Sequence, residues 1–78
     1  MSRRVRIRGW RPGLKKVALT LTVRRLAQLR LDGAKSVTDR VLDGEIVDVE
    51  VGDAGGARDL ARELQALEVV AEVVDNPG

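Results

Sequence analysis

The sequence predicts a small α+β domain, and three observations predict it. Charged and apolar residues alternate through residues 4–8 and 45–51, and a valine-rich run fills residues 68–74, which gives three strands. Helical spacing appears between those runs, most clearly in Ala57, Leu60, Ala61, Leu64 and Leu67 after Asp53. The chain has 78 residues, about half a typical domain, so a single domain over residues 1–78 is the ceiling.

Each element has a local reason. Arg4-Val5-Arg6-Ile7-Arg8 is a strand with Val5 and Ile7 on one face, and Gly9-Trp10-Arg11-Pro12-Gly13 breaks it and turns the chain. Residues 15–29 fit two periods. Val17, Leu19, Leu21 and Val23 alternate like a strand, whereas Leu19, Thr22, Val23 and Leu26 make the stripe of an amphipathic helix. On that helix Lys16, Val17, Thr20 and Arg24 occupy the opposite face. Asp32 is expected to cap the next helix, buried through Ala34, Val37, Thr38 and Val41 and stopped by Gly44. In residues 45–51, Val47, Val49 and Val51 share a face. Asp53 caps the following helix, where Gly55 and Gly56 weaken only the first turn. Asn76-Pro77-Gly78 reads as a short frayed end.

Composition narrows the chemistry. Apolar residues reach 44%, yet Trp10 is the sole aromatic, so the core is built from Val, Leu, Ile and Ala. A core of that size supports a net stability of roughly 3–5 kcal/mol. Without cysteine or histidine the chain has no disulfide, no thiolate nucleophile, no usual general base and no common transition-metal ligand. No apolar run approaches a membrane span, and Met1-Ser2-Arg3-Arg4 lacks the apolar stretch of a signal peptide. A cytoplasmic, non-catalytic domain with no cofactor is expected. The formal charge of +2 hides an asymmetry: residues 1–40 carry +10 and residues 41–78 carry −8. Either the basic half meets nucleic acid, or the two halves fold together and neutralise each other; the second reading is preferred because both halves carry periodic apolar residues.

Lys16-Val17, Val23-Arg24 and Leu29-Arg30-Leu31-Asp32-Gly33-Ala34-Lys35, followed by Ala57-x-x-Leu60-x-x-x-Leu64 and the last strand, resemble the C-terminal domain of the bacterial ribosomal stalk protein over about residues 4–74. That family shares its fold with the adaptor of the Clp protease. The resemblance implies a two-layer β-α-α-β-α-β domain, with a three-stranded antiparallel sheet and three helices on one face. It also implies a helix over residues 17–27 and places the first strand between the other two. Arg4, Arg6 and Arg8 would then line the open face of the sheet beside Asp48, Glu50 and Glu72, where opposite charges contribute about 0.2–1 kcal/mol per pair.

In the stalk family the first two helices meet the translation GTPases. The matching residues here are Lys16, Val17, Arg24 and Lys35, and Thr20-Leu21 stands where the family carries an aliphatic–lysine pair. The resemblance therefore implies a protein-interaction module whose partner is a translation factor or a larger assembly, bound through Lys16, Val17, Thr20, Leu21, Arg24 and Lys35; with no apolar run of membrane-spanning length, no membrane involvement is expected. A second reading is a nucleic-acid binder using Arg3, Arg4, Arg6, Arg8, Arg11 and Trp10, and a third is an adaptor like that of the Clp protease. Other signals are weaker. Gly52-Asp53-Ala54-Gly55-Gly56 lacks the Lys-Ser/Thr of a phosphate loop and reads as a tight strand-to-helix turn. Asp43, Glu45, Asp48, Glu50 and Asp53 read as the outer side of a strand rather than a calcium loop. Ser2 and Ser36 have no base to activate them. Trp10 is expected to cap the end of the core.

Overall fold

The computed structural model describes residues 3–74. The chain runs β1 (Arg3–Trp10), α1 (Lys16–Leu26), α2 (Leu31–Leu42), β2 (Val47–Val51), α3 (Ala54–Ala66) and β3 (Val69–Val74). The strands form one antiparallel sheet in the order β2-β1-β3, so the fold is α+β with β1 central. The expected frayed end at Asn76-Pro77-Gly78 and the residue Ser2 lie outside the described residues.

Period-two alternation directs Val5 and Ile7 of β1, and Val47, Val49 and Val51 of β2, into the core. The helices return Leu19 and Val23 from α1, Ala34 and Val41 from α2, and Ala57, Leu60 and Leu64 from α3 to the same core. Burying a leucine or isoleucine side chain completely contributes about 1.5–3 kcal/mol, so Ile7, Leu19, Leu60 and Leu64, all fully buried, carry much of the hydrophobic stabilisation. Leu26, expected in the buried stripe, is only partly buried at the edge of the core.

Several boundaries differ from expectation. Gly9 does not end β1; the strand continues to Trp10, and a register shift between Ile7 and Gly9 absorbs the irregularity opposite Ala71 and Val70. The turn comes later, at Pro12 and Gly13, where Gly13 has φ 102°. Asp32 is not the cap of α2. That helix begins two residues earlier, at Leu31 with Arg30 in the cap position, and the Asp32 carboxylate, in the first turn, accepts from the Gly33 N–H at 2.9 Å. An acidic side chain in the first turn still complements the helix dipole. β2 begins at Val47, leaving Glu45 and Ile46 in the connection.

Asp53 does cap α3, accepting from the Gly56 N–H at 2.5 Å. A Cβ at Gly56 would stand 2.9 Å from Val51 Cγ1 and 3.2 Å from Asp53 Oδ1, so this glycine serves the close approach of helix to strand. With its own carboxylate already on the helix N-terminus, the Gly-rich turn is a structural corner. Gly44, at φ 87°, ends α2 as its sequence position implies.

Candidate functional site

Residues 17–26 are helical, and the ambiguity of their pattern has a structural origin. Leu19 and Val23 face the core, while Val17 and Leu21, also four residues apart, face solvent with exposures of 70% and 51%. Two apolar stripes on opposite sides of one helix produce the alternation of a strand. The outer stripe is not required by the core, and that makes it informative.

Beside it lies a groove of about 380 Å³ between α1 and α2. Val17, Leu21 and Leu31 supply its apolar walls, and Lys16, Lys35 and Asp39 its charged rim. Leu21 also borders a second hollow of about 590 Å³, lined by Ala18, Thr22, Arg24, Arg25 and Leu29, and so forms a ridge between the two. Five of the six residues nominated from the sequence, Lys16, Val17, Thr20, Leu21 and Lys35, line the first groove, and Arg24 lines the adjoining hollow.

Thr20 is placed differently from expectation. It is buried at 8% exposure, and its hydroxyl meets that of Thr38 at 2.6 Å, forming the groove floor rather than an exposed contact. Thr20 Oγ1 also lies 3.2 Å from the Lys16 carbonyl, and Thr38 Oγ1 lies 3.2 Å from the Ala34 carbonyl. Single-helix periodicity places Thr20 outside because it considers only the sheet as packing partner. In the fold α2 covers that flank of α1. Leu31, exposed at 40%, was missed; an apolar residue between Arg30 and Asp32 at a helix start was its available signal.

The open face of the sheet has different electrostatics. Arg6 grips Asp48 with two bonds, from Nε to Oδ1 at 2.8 Å and from Nη2 to Oδ2 at 3.1 Å. Arg8 Nε bonds Glu72 Oε1 at 2.6 Å, and Arg4 Nε stands 3.8 Å from Glu50 Oε1. Accepting from Arg6 and lying near its charge, the Asp48 carboxyl is held below the usual carboxylate range, against a smaller opposing effect of desolvation. The Arg6 guanidinium is correspondingly pushed up, mainly by the same hydrogen bond.

The residues of the nucleic-acid reading are not gathered on one surface. Arg4, Arg6 and Arg8 are held by carboxylates on the open face. Trp10 opposes the buried Val69, which places it on the helix side at the end of the core, where it remains 44% exposed. Arg11 lines a hollow with Gln65, Val69, Val70 and Ala71, and Arg3 opposes Val51. A tryptophan and arginines on opposite sides of a sheet do not make a stacking platform.

Among the described residues, Arg11, Lys15, Lys16, Arg24, Arg30, Lys35, Arg58 and Arg62 form no ion pair, whereas Arg25 pairs with Glu63 at 2.7 Å and Arg40 with Glu45 at 3.6 Å. Five of these eight, Lys15, Lys16, Arg24, Arg30 and Lys35, lie on α1 and α2 or at their starts, the helices that carry the exposed Val17, Leu21 and Leu31; the other three are Arg11 after β1 and Arg58 and Arg62 on α3. No helix among the described residues is long and apolar enough to cross a membrane. No protein-family model, no curated protein and no solved structure matches the chain.

Proposed function

We propose that this domain is a non-catalytic protein-interaction module, acting in the cytoplasm, that docks an acidic face of a partner protein onto the groove between α1 and α2. The observation that carries the reading is the outer apolar stripe of α1, Val17 and Leu21, exposed between cations with no acidic partner of their own. An apolar centre with a charged rim suits a docking patch. The resemblance to the ribosomal stalk domain makes a translation GTPase the partner of choice. Lys16, Val17, Leu21, Arg24 and Lys35 are the contact residues, with Thr20 in a supporting role beneath them.

The test is surface-immobilised binding of this domain to a purified bacterial translation GTPase. Val17→Ala and Leu21→Ala shorten the life of the complex, by up to about 2 kcal/mol if either is an anchor. Arg24→Glu slows association and flattens its dependence on salt, since rim charges chiefly steer the encounter. Absence of binding, or binding indifferent to all three changes, contradicts the proposal. Binding to nucleic acid that weakens by orders of magnitude over a modest salt rise would favour the arginine-based reading instead.

A further inference from the structure

The three-stranded sheet leaves β2 and β3 as edges, and the two edges are built differently. β2 carries carboxylates, Asp48 and Glu50, at both of its open-face positions. β3 reads Val69-Val70-Ala71-Glu72-Val73-Val74, without lysine or proline, and its one charged side chain is already bonded to Arg8 within its own sheet. Val73 is 40% exposed. Edge strands that avoid association usually carry charge, proline or a bulge, and the irregularity here lies in β1 rather than in β3.

The direction of the β3 backbone follows from two independent bonds. The Arg11 N–H donates to the Glu68 carbonyl at 2.8 Å, so Glu68 faces β1 and the antiparallel alternation turns Val69, Ala71 and Val73 toward the free edge. Consistent with this, the Ala71 carbonyl accepts from Gln65 Nε2 of α3 at 2.9 Å. The Gln65 amide occupies the place that the N–H of an added strand would take. Beside it lies a hollow of about 310 Å³ lined by Arg11, Gln65 and residues 69–71.

We infer that the free edge of β3 pairs antiparallel with β3 of a second copy of this chain, displacing Gln65 and joining two sheets into one of six strands. Charge selects this occupant and this edge. Two β3 strands meet with Val69, Ala71 and Val73 on the helix side and with Val70 and Val74 beside Glu72 on the open face, where that carboxylate is bonded to Arg8. Pairing through β2 would bring together two carboxylates from each strand, Asp48 held by Arg6 but Glu50 only loosely by Arg4 at 3.8 Å, whereas β3 brings one, with the cation Arg11 beside its edge. The α1/α2 face, rich in unpaired cations, repels its own copy. A six-residue strand pair covers less area than a standard stable interface, so the dimer forms at high concentration rather than permanently.

Sedimentation of the whole chain from micromolar to millimolar concentration tests the inference. The wild type shows a concentration-dependent monomer–dimer equilibrium. Val73→Pro removes an edge-facing N–H that the β1 ladder does not use, and Val73→Lys places a charge on the edge; each acts twice across the two-fold axis. Both weaken the dimer by about tenfold or more while the circular dichroism of the monomer is retained, and Val73→Lys decides the matter if the proline variant fails to fold. Gln65→Ala acts in the opposite sense and tightens the dimer, because no side chain competes for the Ala71 carbonyl. A wild type that stays monomeric at millimolar concentration overturns the inference. So does a dimer unmoved by Val73→Lys, including one lost instead on Leu21→Ala.

Discussion

Arginines on the open face of the sheet and cations on the α1/α2 face come from the same basic half of the chain, yet they are in different states. Arg4, Arg6 and Arg8 meet Glu50, Asp48 and Glu72 across the sheet, because β1 lies between two strands that carry acid at the facing positions. Lys16, Arg24 and Lys35 have no such partners and stand beside Val17 and Leu21, which the core does not use. Strand order and register, rather than charge density, decide which cations are paired across the sheet and which are left without an ion pair. A count of basic residues cannot separate the two sets.

On α1 itself the two stripes differ most in what they contribute to stability. Leu19 is fully buried and Leu21 half exposed, two positions apart on one helix. Leu19→Ala should cost about 2–5 kcal/mol in urea unfolding, which approaches the whole stability of so small a domain. Leu21→Ala should stay within about 0.5 kcal/mol of wild type. Equal losses at the two positions would mean that the outer stripe is core.

Between the two faces sits the Thr20–Thr38 pair, which joins α1 to α2 beneath the groove. Two hydroxyl protons serve three close contacts, between the hydroxyls and from each to a carbonyl, Lys16 for Thr20 and Ala34 for Thr38. Thr38→Val leaves the Thr20 hydroxyl bonded to the Lys16 carbonyl and should cost about 1 kcal/mol by thermal or urea melting. No loss would show that the hydroxyl pair does not hold the two helices together.

A smaller effect appears in acid. The Asp48 carboxyl is held below its ordinary range by Arg6, so the unfolded chain takes up its proton more readily than the folded one. The stabilisation is complete above the ordinary aspartate pKa of about 3.9 and is lost as pH falls from there through the lower folded value. Asp48→Asn should flatten the stability profile in that window and leave its shape near neutrality unchanged, as measured by urea midpoints over a pH series. An unaltered acid limb would remove Asp48 from the account of the open face.

Much of this arrangement was legible in the sequence, for identifiable reasons. Alternation located the faces of β1 and β2, Asp53 marked the start of α3, and Gly44 the end of α2. The ends of α1 and α3 were less visible because Gln28 and Glu68, at φ 54° and 67°, take the left-handed conformation without glycine. Local period could not decide helix from strand at residues 17–23, since both faces of α1 carry apolar residues, and the resemblance was needed to choose. Thr20 was misplaced and Leu31 missed for one cause: both depend on how α2 lies against α1, a tertiary relation that one helix's pattern does not contain. The free edge of β3 likewise emerges only from strand order.

The division between structural and available cations is tested most directly by two triple variants measured in parallel. One replaces Arg4, Arg6 and Arg8 by Gln, the other Lys16, Arg24 and Lys35 by Gln, and each is assayed for its urea midpoint and for association rate with a purified translation GTPase, the proposed partner. The first set should lower the midpoint and leave association near normal, and the second should slow association and leave the midpoint near normal. The reverse outcome, with stability lost on the α1/α2 face and association lost on the sheet, would contradict it.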